Sequence, residues 1–373
     1  MENLVNAPFQ NRFAGRRVFL TGHTGFKGGW LALWLHQLGA EVHGFSLAPA
    51  APPNLHEVIP AGVFARETFA DIRDRDALAR AVRAAAPDFV FHLAAQPLVR
   101  RSYAEPLETL TTNVLGTAHL LEAVRAAQLP CPVLVVTSDK CYENQHWDHG
   151  YRETDPLGGH DVYSMSKAAT ELVAQSWRKS FFATDPRLGP LATVRAGNVI
   201  GGGDYAMDRI VPDCVRAVLA ARPLGVRNPA ATRPWQHVLD CLSGYLCLAA
   251  RLAGDGQNSP LAGAFNFGPD TRSNQPVAAL VREFFQHLPG EWRDESTPGA
   301  PHEAALLHLS TDKAAARLEW FPTWDFAAAV RETALWYCAR HRDRADMAGF
   351  NREQLTRFTA AAAARGLAWA QTP

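Results

Sequence analysis

A chain of 373 residues with 47% hydrophobic and 10% aromatic content has enough apolar side chain to bury a large core, which excludes a disordered protein. Its 37 Lys and Arg balance its 37 Asp and Glu, so no overall field recruits nucleic acid or an acidic membrane, and any anion site must be a local arrangement. The six cysteines form no C-x-x-C pair and no His/Cys cluster with zinc-like spacing, and Met1–Arg17 carries no apolar stretch suited to export, so the expectation is a cytoplasmic protein with reduced thiols, no metal and no membrane span.

In chain order, Arg17–Leu20 reads as a short buried strand. After glycine-rich turn residues, Trp30, Leu31, Leu33, Trp34, Leu35 and Leu38 carry helical periodicity until Gly39 stops it. Glu41–Phe45 returns as a strand and completes one βαβ unit. Past a proline-rich surface loop, Pro49–Pro53, the cycle resumes with a strand over Val63–Phe69, a helix over Asp74–Ala86 and a strand over Phe89–Leu93. A helix from about Pro106 to Ala127 leads into Val133–Val136, a run with the length of a buried parallel strand. A long helix then runs beyond Lys167 to about Ser180, and Leu191–Arg195 reads as a strand ending at Gly197. This alternation predicts an α/β fold with a Rossmann-type doubly wound parallel sheet. Beyond it, Gly201–Gly203, Pro212, Pro223, Pro229 and Pro234 punctuate short elements, which suits a second, smaller α/β domain over a substrate. The expected division gives 1–196 and 236–268 to the dinucleotide and 197–235 and 269–373 to the substrate. Leu355, Phe358 and Ala362 keep helical spacing, so Leu355–Ala370 reads as a terminal helix.

Gly22, Gly25 and Gly28 follow the first strand and open the helix, with Thr24, Phe26 and Lys27 among them. Glycines let backbone N–H groups approach a pyrophosphate, and the helix N-terminus offers partial positive charge. Such a run also occurs as a plain tight turn; its place between strand and helix favours the dinucleotide. The second strand ends in Phe45-Ser46-Leu47 without the acid that usually holds ribose hydroxyls, so Ser46 would serve. No arginine marks a 2′-phosphate there, although Lys27 lies within reach of one, and the expected cofactor is NAD. Asp71, followed by Ile72, either accepts from the adenine amino group or caps the helix preceding Asp74.

Tyr163 stands four residues before Lys167, one helical turn away, where a lysine's positive charge can support a phenolate. A Tyr and a Lys on neighbouring turns are commonly a solvated helix face. Thr137–Lys140, at the carboxyl end of a strand where ligands meet open α/β sheets, favours an alcohol-oxidising pair instead.

Five strings in order carry a resemblance: Thr21–Gly28, Ala94–Arg100, Thr137–Tyr142, Arg195–Asp204 and Arg233–Val238. Across about Arg17 to Trp324 the chain resembles extended short-chain dehydrogenase/reductases acting on nucleotide sugars, in particular the 4,6-dehydratase branch that uses CDP-glucose. The resemblance implies that Tyr163 takes the proton of the sugar 4-hydroxyl, that Lys167 lowers the tyrosine pKa and holds the nicotinamide ribose, and that Ser138 hydrogen-bonds the reacting oxygen. Asp139 would protonate the departing hydroxyl of carbon 6. Lys140 stands where relatives using dTDP- and GDP-sugars have glutamate; it would be the carbon-5 base if its pKa is depressed, and otherwise would stabilise the enolate. The implied cofactor contacts are Gly22, Thr24, Gly25, Phe26, Lys27, Ser46, Asp71, Ile72, Leu93, Ala94 and Ala95, with Tyr163 and Lys167.

For the nucleotide sugar, the resemblance implies Gln96, Asn198, Arg209 and Arg233 near the sugar and diphosphate, Arg227 and Asn228 near the base, and His302 with Glu303 lining the same pocket. His237 reads as a hydrogen-bonded packing residue, since no second ligand sits at metal spacing. A 4-epimerase and a non-catalytic dinucleotide sensor are the rival readings; Asp139 with Lys140 argues against the first, and retention of both Tyr163 and Lys167 against the second. The helices after Ala104 and around Tyr163 pair across a two-fold in many relatives, which implies a homodimer or larger assembly.

Overall fold

The computed structural model describes residues 8–257, 259–296 and 307–371. The chain begins with β1 (Arg17–Thr21), α1 (Phe26–Gln37), β2 (Glu41–Ser46), β3 (Phe64–Phe69), α2 (Arg75–Ala85) and β4 (Phe89–His92). It continues through α3 (Val99–Ala104), α4 (Pro106–Leu110), α5 (Gly116–Ala126), β5 (Val133–Val136), α6 (Val162–Trp177) and β6 (Leu191–Ala196). Shorter elements follow: β7 (Asn198–Ile200), α7 (Ile210–Leu219), β8 (Leu224–Val226), β9 (Thr232–His237), α8 (Val238–Asp255), β10 (Ala264–Phe267), β11 (Asn274–Pro276), α9 (Val277–His287) and β12 (Trp292–Asp294). Three helices close the described chain: α10 (Asp312–Leu318), α11 (Phe326–Tyr337) and α12 (Met347–Ala364).

Seven strands form one all-parallel sheet in the order β10-β6-β5-β4-β1-β2-β3. The strand order reverses between β1 and β4, so the crevice for a ligand opens at the carboxyl ends of those two strands. Alternation along each strand explains why both faces are covered. Val18 and Leu20 of β1, Phe89 and Phe91 of β4 and Leu134 of β5 join Leu31 and Trp34 of α1 and Leu239, Leu242 and Leu246 of α8. The intervening Phe19, Val90, Val133 and Val135 join Leu78 and Val82 of α2, Leu120 and Val124 of α5 and Ala174 of α6 on the other face. Beyond the sheet, β11-β9-β7 and β12-β8 make two small sheets. No helix among the described residues is long and apolar enough to cross a membrane.

Three boundaries differ from the sequence expectation. The helix expected from Pro106 to Ala127 is interrupted by a π turn at Thr111–Leu115, between α4 and α5. The long helix starts at Val162, with Asp161 capping it, so both Tyr163 and Lys167 lie inside its first turns. The terminal helix begins earlier, at Met347, and ends at Ala364, because Gly366 adopts a left-handed φ of 72° there. Aromatic rings tie this last helix to the first: Phe358 and Trp369 pack edge-on to Trp34, with centroids 5.6 and 5.9 Å away.

Candidate active site

The carboxyl end of β5 runs directly into Thr137, Ser138 and a short turn at Asp139–Cys141, and α6 packs across it. Asp161 fixes the start of α6 by accepting from the Ser164 backbone N–H (2.9 Å) and hydroxyl (2.7 Å). With the helix start set, the four-residue spacing turns Tyr163 and Lys167 inward, and both are buried. Lys167 donates to the Val136 carbonyl at 3.4 Å. Burial, then the charge of Lys27, pulls its pKa down to about 8. Burial pushes the Tyr163 phenol up to about 12, with Ser138 and Arg209 lowering it and Asp139 raising it. In the protein by itself, burial outweighs the groups that lower the phenol.

Two carboxylates lie close to this strand end. Glu171, one turn beyond Lys167, accepts from Thr137 (2.5 Å) and Arg195 Nε (3.0 Å) at Oε1, and from Thr193 (2.7 Å) and Arg195 Nη2 (2.8 Å) at Oε2. Burial opposes its charge, but Arg195 and these hydrogen bonds outweigh burial and hold Glu171 below the ordinary carboxylate range. Arg195 Nη1 also donates to the Tyr142 hydroxyl at 2.6 Å, and that hydroxyl donates to Asn266. Asp139 is different. Its Oδ1 accepts from Ser138 (2.8 Å) and Lys140 Nζ (3.3 Å), while its Oδ2 is buried without a hydrogen-bond partner. A Cβ on Gly197 would sit 3.2 Å from that oxygen, so glycine keeps the approach clear. Gly197 and Pro234 also line a cavity of about 210 Å³, together with Asp148, Asn274 and His308.

The glycine loop is dictated by close backbone contacts. Gly22 has φ 77°, and a Cβ there would lie 2.7 Å from the Ala94 nitrogen. A Cβ on Gly28 would lie 2.1 Å from the Gly22 carbonyl oxygen. Gly25 is the N-cap of α1, followed by Phe26 and Lys27. The Thr21 hydroxyl accepts from the N–H groups of Leu93 and Ala94, both at 3.1 Å, and so joins the ends of β1 and β4 at the sheet's switch point, with Ala95 next in the chain. Thr24 and Ser46 share a 2.8 Å hydrogen bond, placing two hydroxyls at the end of β2. Lys27 lies 3.5 Å from the Tyr245 hydroxyl.

Other expected contacts divide. Arg209, at the N-cap of α7, pairs with Asp204 at 2.8 Å and acts electrostatically on Tyr163, so it belongs to the same neighbourhood. Asn198 opens β7 immediately after Gly197 and pairs with Trp235 of β9, next to Arg233, whose Nη1 donates to the Thr232 carbonyl. Arg227 and Asn228 are exposed between β8 and β9. His302 and Glu303 lie outside the described residues. The buried Gln96 side chain donates to Thr109 (2.9 Å) and the Leu98 carbonyl (3.0 Å) and accepts from the Leu98 N–H (2.6 Å), so it braces the corner after β4. Asp71 is likewise committed, accepting from the Arg73 backbone and guanidinium, while the cap of α2 is Asp74. The Asp71 capping reading therefore fails, and adenine would have to compete with Arg73. Ile72 packs in the core beside Gly116. His237 caps α8 through Nδ1 (3.2 Å) and packs edge-on to Trp324, a hydrogen-bonded packing residue as expected.

Sequence reasoning missed Asn113, in the π turn. Its Oδ1 accepts from the Gln96 N–H (2.8 Å), and its Nδ2 donates to the Gln96 carbonyl (3.1 Å) and Ser166 (2.8 Å), linking the β4 corner to α6. It missed Glu171 too, although Tyr163, Lys167 and Glu171 form one stripe at four-residue spacing.

Comparison with known proteins adds a family and relatives. The family described as NAD dependent epimerase/dehydratase matches residues 18–267. The chain is 44% identical over 338 residues to the CDP-glucose 4,6-dehydratase of Salmonella typhimurium (strain LT2), covering 88% of this chain and 92% of that one. Among solved structures it is similar in fold to dTDP-glucose 4,6-dehydratase from Bacillus anthracis str. Ames in complex with NAD, with TM-score 0.72 and 18% identity over 89% of this chain and 99% of that one. A Thermus thermophilus UDP-glucose 4-epimerase complex with NAD gives TM-score 0.72 and 24% identity over 87% and 99%.

Proposed function

The chain belongs to the NAD dependent epimerase/dehydratase family, and from that premise we propose that it is an NAD-dependent CDP-glucose 4,6-dehydratase, converting CDP-D-glucose to CDP-4-keto-6-deoxy-D-glucose and water. The observation that carries the reading is Asp139 Oδ2, a buried carboxylate oxygen without a partner between the Tyr163 pair and the Gly197 cavity. A 4-epimerase needs no acid for a departing hydroxyl; a dehydratase does.

The residues fit the cofactor. Added Cβ atoms at Gly22 and Gly28 would collide with backbone, the N-terminus of α1 follows, and the Thr24–Ser46 hydroxyl pair suits an unphosphorylated ribose. NAD held there would supply hydride chemistry, accepting a hydride from carbon 4 and giving it to carbon 6, with no net change in its oxidation state. Its pyridinium charge would add to that of Arg209 in lowering the Tyr163 phenol, and Lys167 would hold the nicotinamide ribose. Tyr163 takes the proton of the 4-hydroxyl, with Ser138 bonded to the same oxygen. The new ketone acidifies carbon 5, whose proton passes to a base and returns to carbon 5 when hydride reaches carbon 6, and Lys140, beside Asp139, stabilises the enolate charge. Asp139 delivers a proton as the carbon-6 hydroxyl leaves. Starting from a Tyr163 phenolate and a protonated Asp139, the proton gained by Tyr163 offsets the one given by Asp139 and the carbon-5 proton is returned, so the net loss is one water. Arg209, Asn198 and Arg233 hold the diphosphate side, Arg227 and Asn228 the base, and 197–235 with 269–373 cover the substrate.

Exposed Tyr103, Leu107, Leu115, Met165 and Leu172 lie on or between α3 and α6 and support a homodimer through these helices; light scattering at a single-chain mass would remove that assignment. Six free, buried cysteines support a cytoplasmic setting.

The test is to mix purified protein, without added cofactor, with CDP-, dTDP-, GDP- and UDP-glucose separately and follow mass and alkaline absorbance. Loss of one water from CDP-glucose, without accumulating NADH, is expected. No mass change with any of the four, even with NAD supplied, overturns the assignment.

A further inference from the structure

We propose that His23, His56 and Glu67 form a binding site for one divalent transition metal ion of the zinc type. The three residues come from the glycine loop, a short turn at His56–Val58 and β3, which is why no short-spaced motif reveals them in sequence. Their ligand atoms all lie within 4.8 Å of one another. His23 Nε2 is 3.0 Å and His56 Nε2 2.7 Å from the same oxygen, Glu67 Oε1. The side chains are 0%, 20% and 28% exposed in that order, so the site is floored by protein and open on one side.

Proton bookkeeping favours a cation at this point. A carboxylate only accepts, and a neutral imidazole carries one proton. If that proton of His23 is on Nε2, then Nδ1 is a lone pair buried without a hydrogen-bond partner. If it is on Nδ1, beside the Phe45 carbonyl, then the Nε2 lone pair faces the Glu67 oxygen at 3.0 Å. A metal ion among Nε2 of His23, Nε2 of His56 and the carboxylate removes the conflict and leaves Nδ1 to carry the proton.

A register irregularity lies in the strand that carries Glu67. The β2–β3 register slips between Val42 and His43, where β3 advances from Phe64 to Arg66. That extra residue puts Phe64, Glu67 and Phe69 on one face, and bulges re-aim side chains in this way. Phe64 lies edge-on to the His23 ring at 4.9 Å and stacks on His56 at 5.9 Å; Phe69 stacks on His23 at 5.9 Å. Two imidazoles and one carboxylate suit zinc, cobalt or nickel rather than magnesium or calcium, and three protein ligands leave a position for water. The ion would join edge strand β3 and the His56 turn to the glycine loop. It shares none of the groups that act on the sugar, so this inference does not depend on the proposed reaction.

To test it, tag-free protein with its cofactor retained is stripped of metal with a chelator, then titrated with Zn2+ by calorimetry and with Co2+ by absorption spectroscopy, alongside His56→Ala and the near-isosteric Glu67→Gln. Wild type is expected to bind one ion per chain, to show visible Co2+ bands and to melt higher as Zn2+ rises. Each variant should bind at least about tenfold more weakly, melt like wild type in chelator and keep its turnover. Equal zinc affinity and stoichiometry in wild type and both variants, or no binding by wild type, overturns the site.

Discussion

Glu171 and Asp139 are buried carboxylates near the end of the same strand, and the protein treats them in opposite ways. Both oxygens of Glu171 are saturated by Thr137, Thr193 and Arg195, whereas Asp139 keeps Oδ2 without a partner. The floor is finished before any ligand arrives; the layer above it is not. An unpaired buried polar group costs stability, so its retention beside a cavity marks a place where binding supplies the partner. The two layers should therefore respond differently to substitution.

The largest effect expected is on rate. Asp139→Asn or Tyr163→Phe should slow keto-sugar formation by about 10²–10⁴-fold. Unfolding free energy should change by no more than about 1 kcal/mol in the same proteins. A stability loss on the scale of a broken core would show that Asp139 belongs to the floor after all. Next comes Glu171→Ala, which strands the Arg195 guanidinium in the interior and should cost about 3–5 kcal/mol in equilibrium denaturation. A loss under about 1 kcal/mol would mean that the Glu171–Arg195 pair does not carry the floor's stability.

The smallest effect sharpens the contrast through its sign. Lys167 has a folded pKa of about 8, below its ordinary 10.5, so the unfolded chain binds that proton more tightly. Stability of cofactor-stripped protein should therefore rise with pH between about 8 and 10.5, the folded state bearing the penalty of the buried charge below that window. Lys167→Met should flatten that slope and raise the pH 7 melting temperature by on the order of 2 °C, while abolishing most turnover. A melting temperature that falls instead would place Lys167 among the stabilising residues.

What the sequence discloses follows the same division. The sheet and the Tyr163–Lys167 pair are legible because alternation, strand length and four-residue spacing are local patterns. The corner after β4 is not. A π turn has no composition of its own, so Asn113 reads as one more helical residue until Gln96 and Ser166 are seen bonded to it. For the same reason the bonds of the Gln96 amide to Thr109 and Leu98 cannot be read from the sequence. His23, His56 and Glu67 meet only through tertiary contact and a register slip, which leave no trace in spacing.

The aromatic nest joining Trp34 of the first helix to Phe358 and Trp369 sets a schedule for biosynthesis. At about 5–20 residues per second, Trp369 emerges on the order of 20–70 s after Trp34. Through that interval the outer face of α1, with the cofactor loop at its head, lacks its final cover.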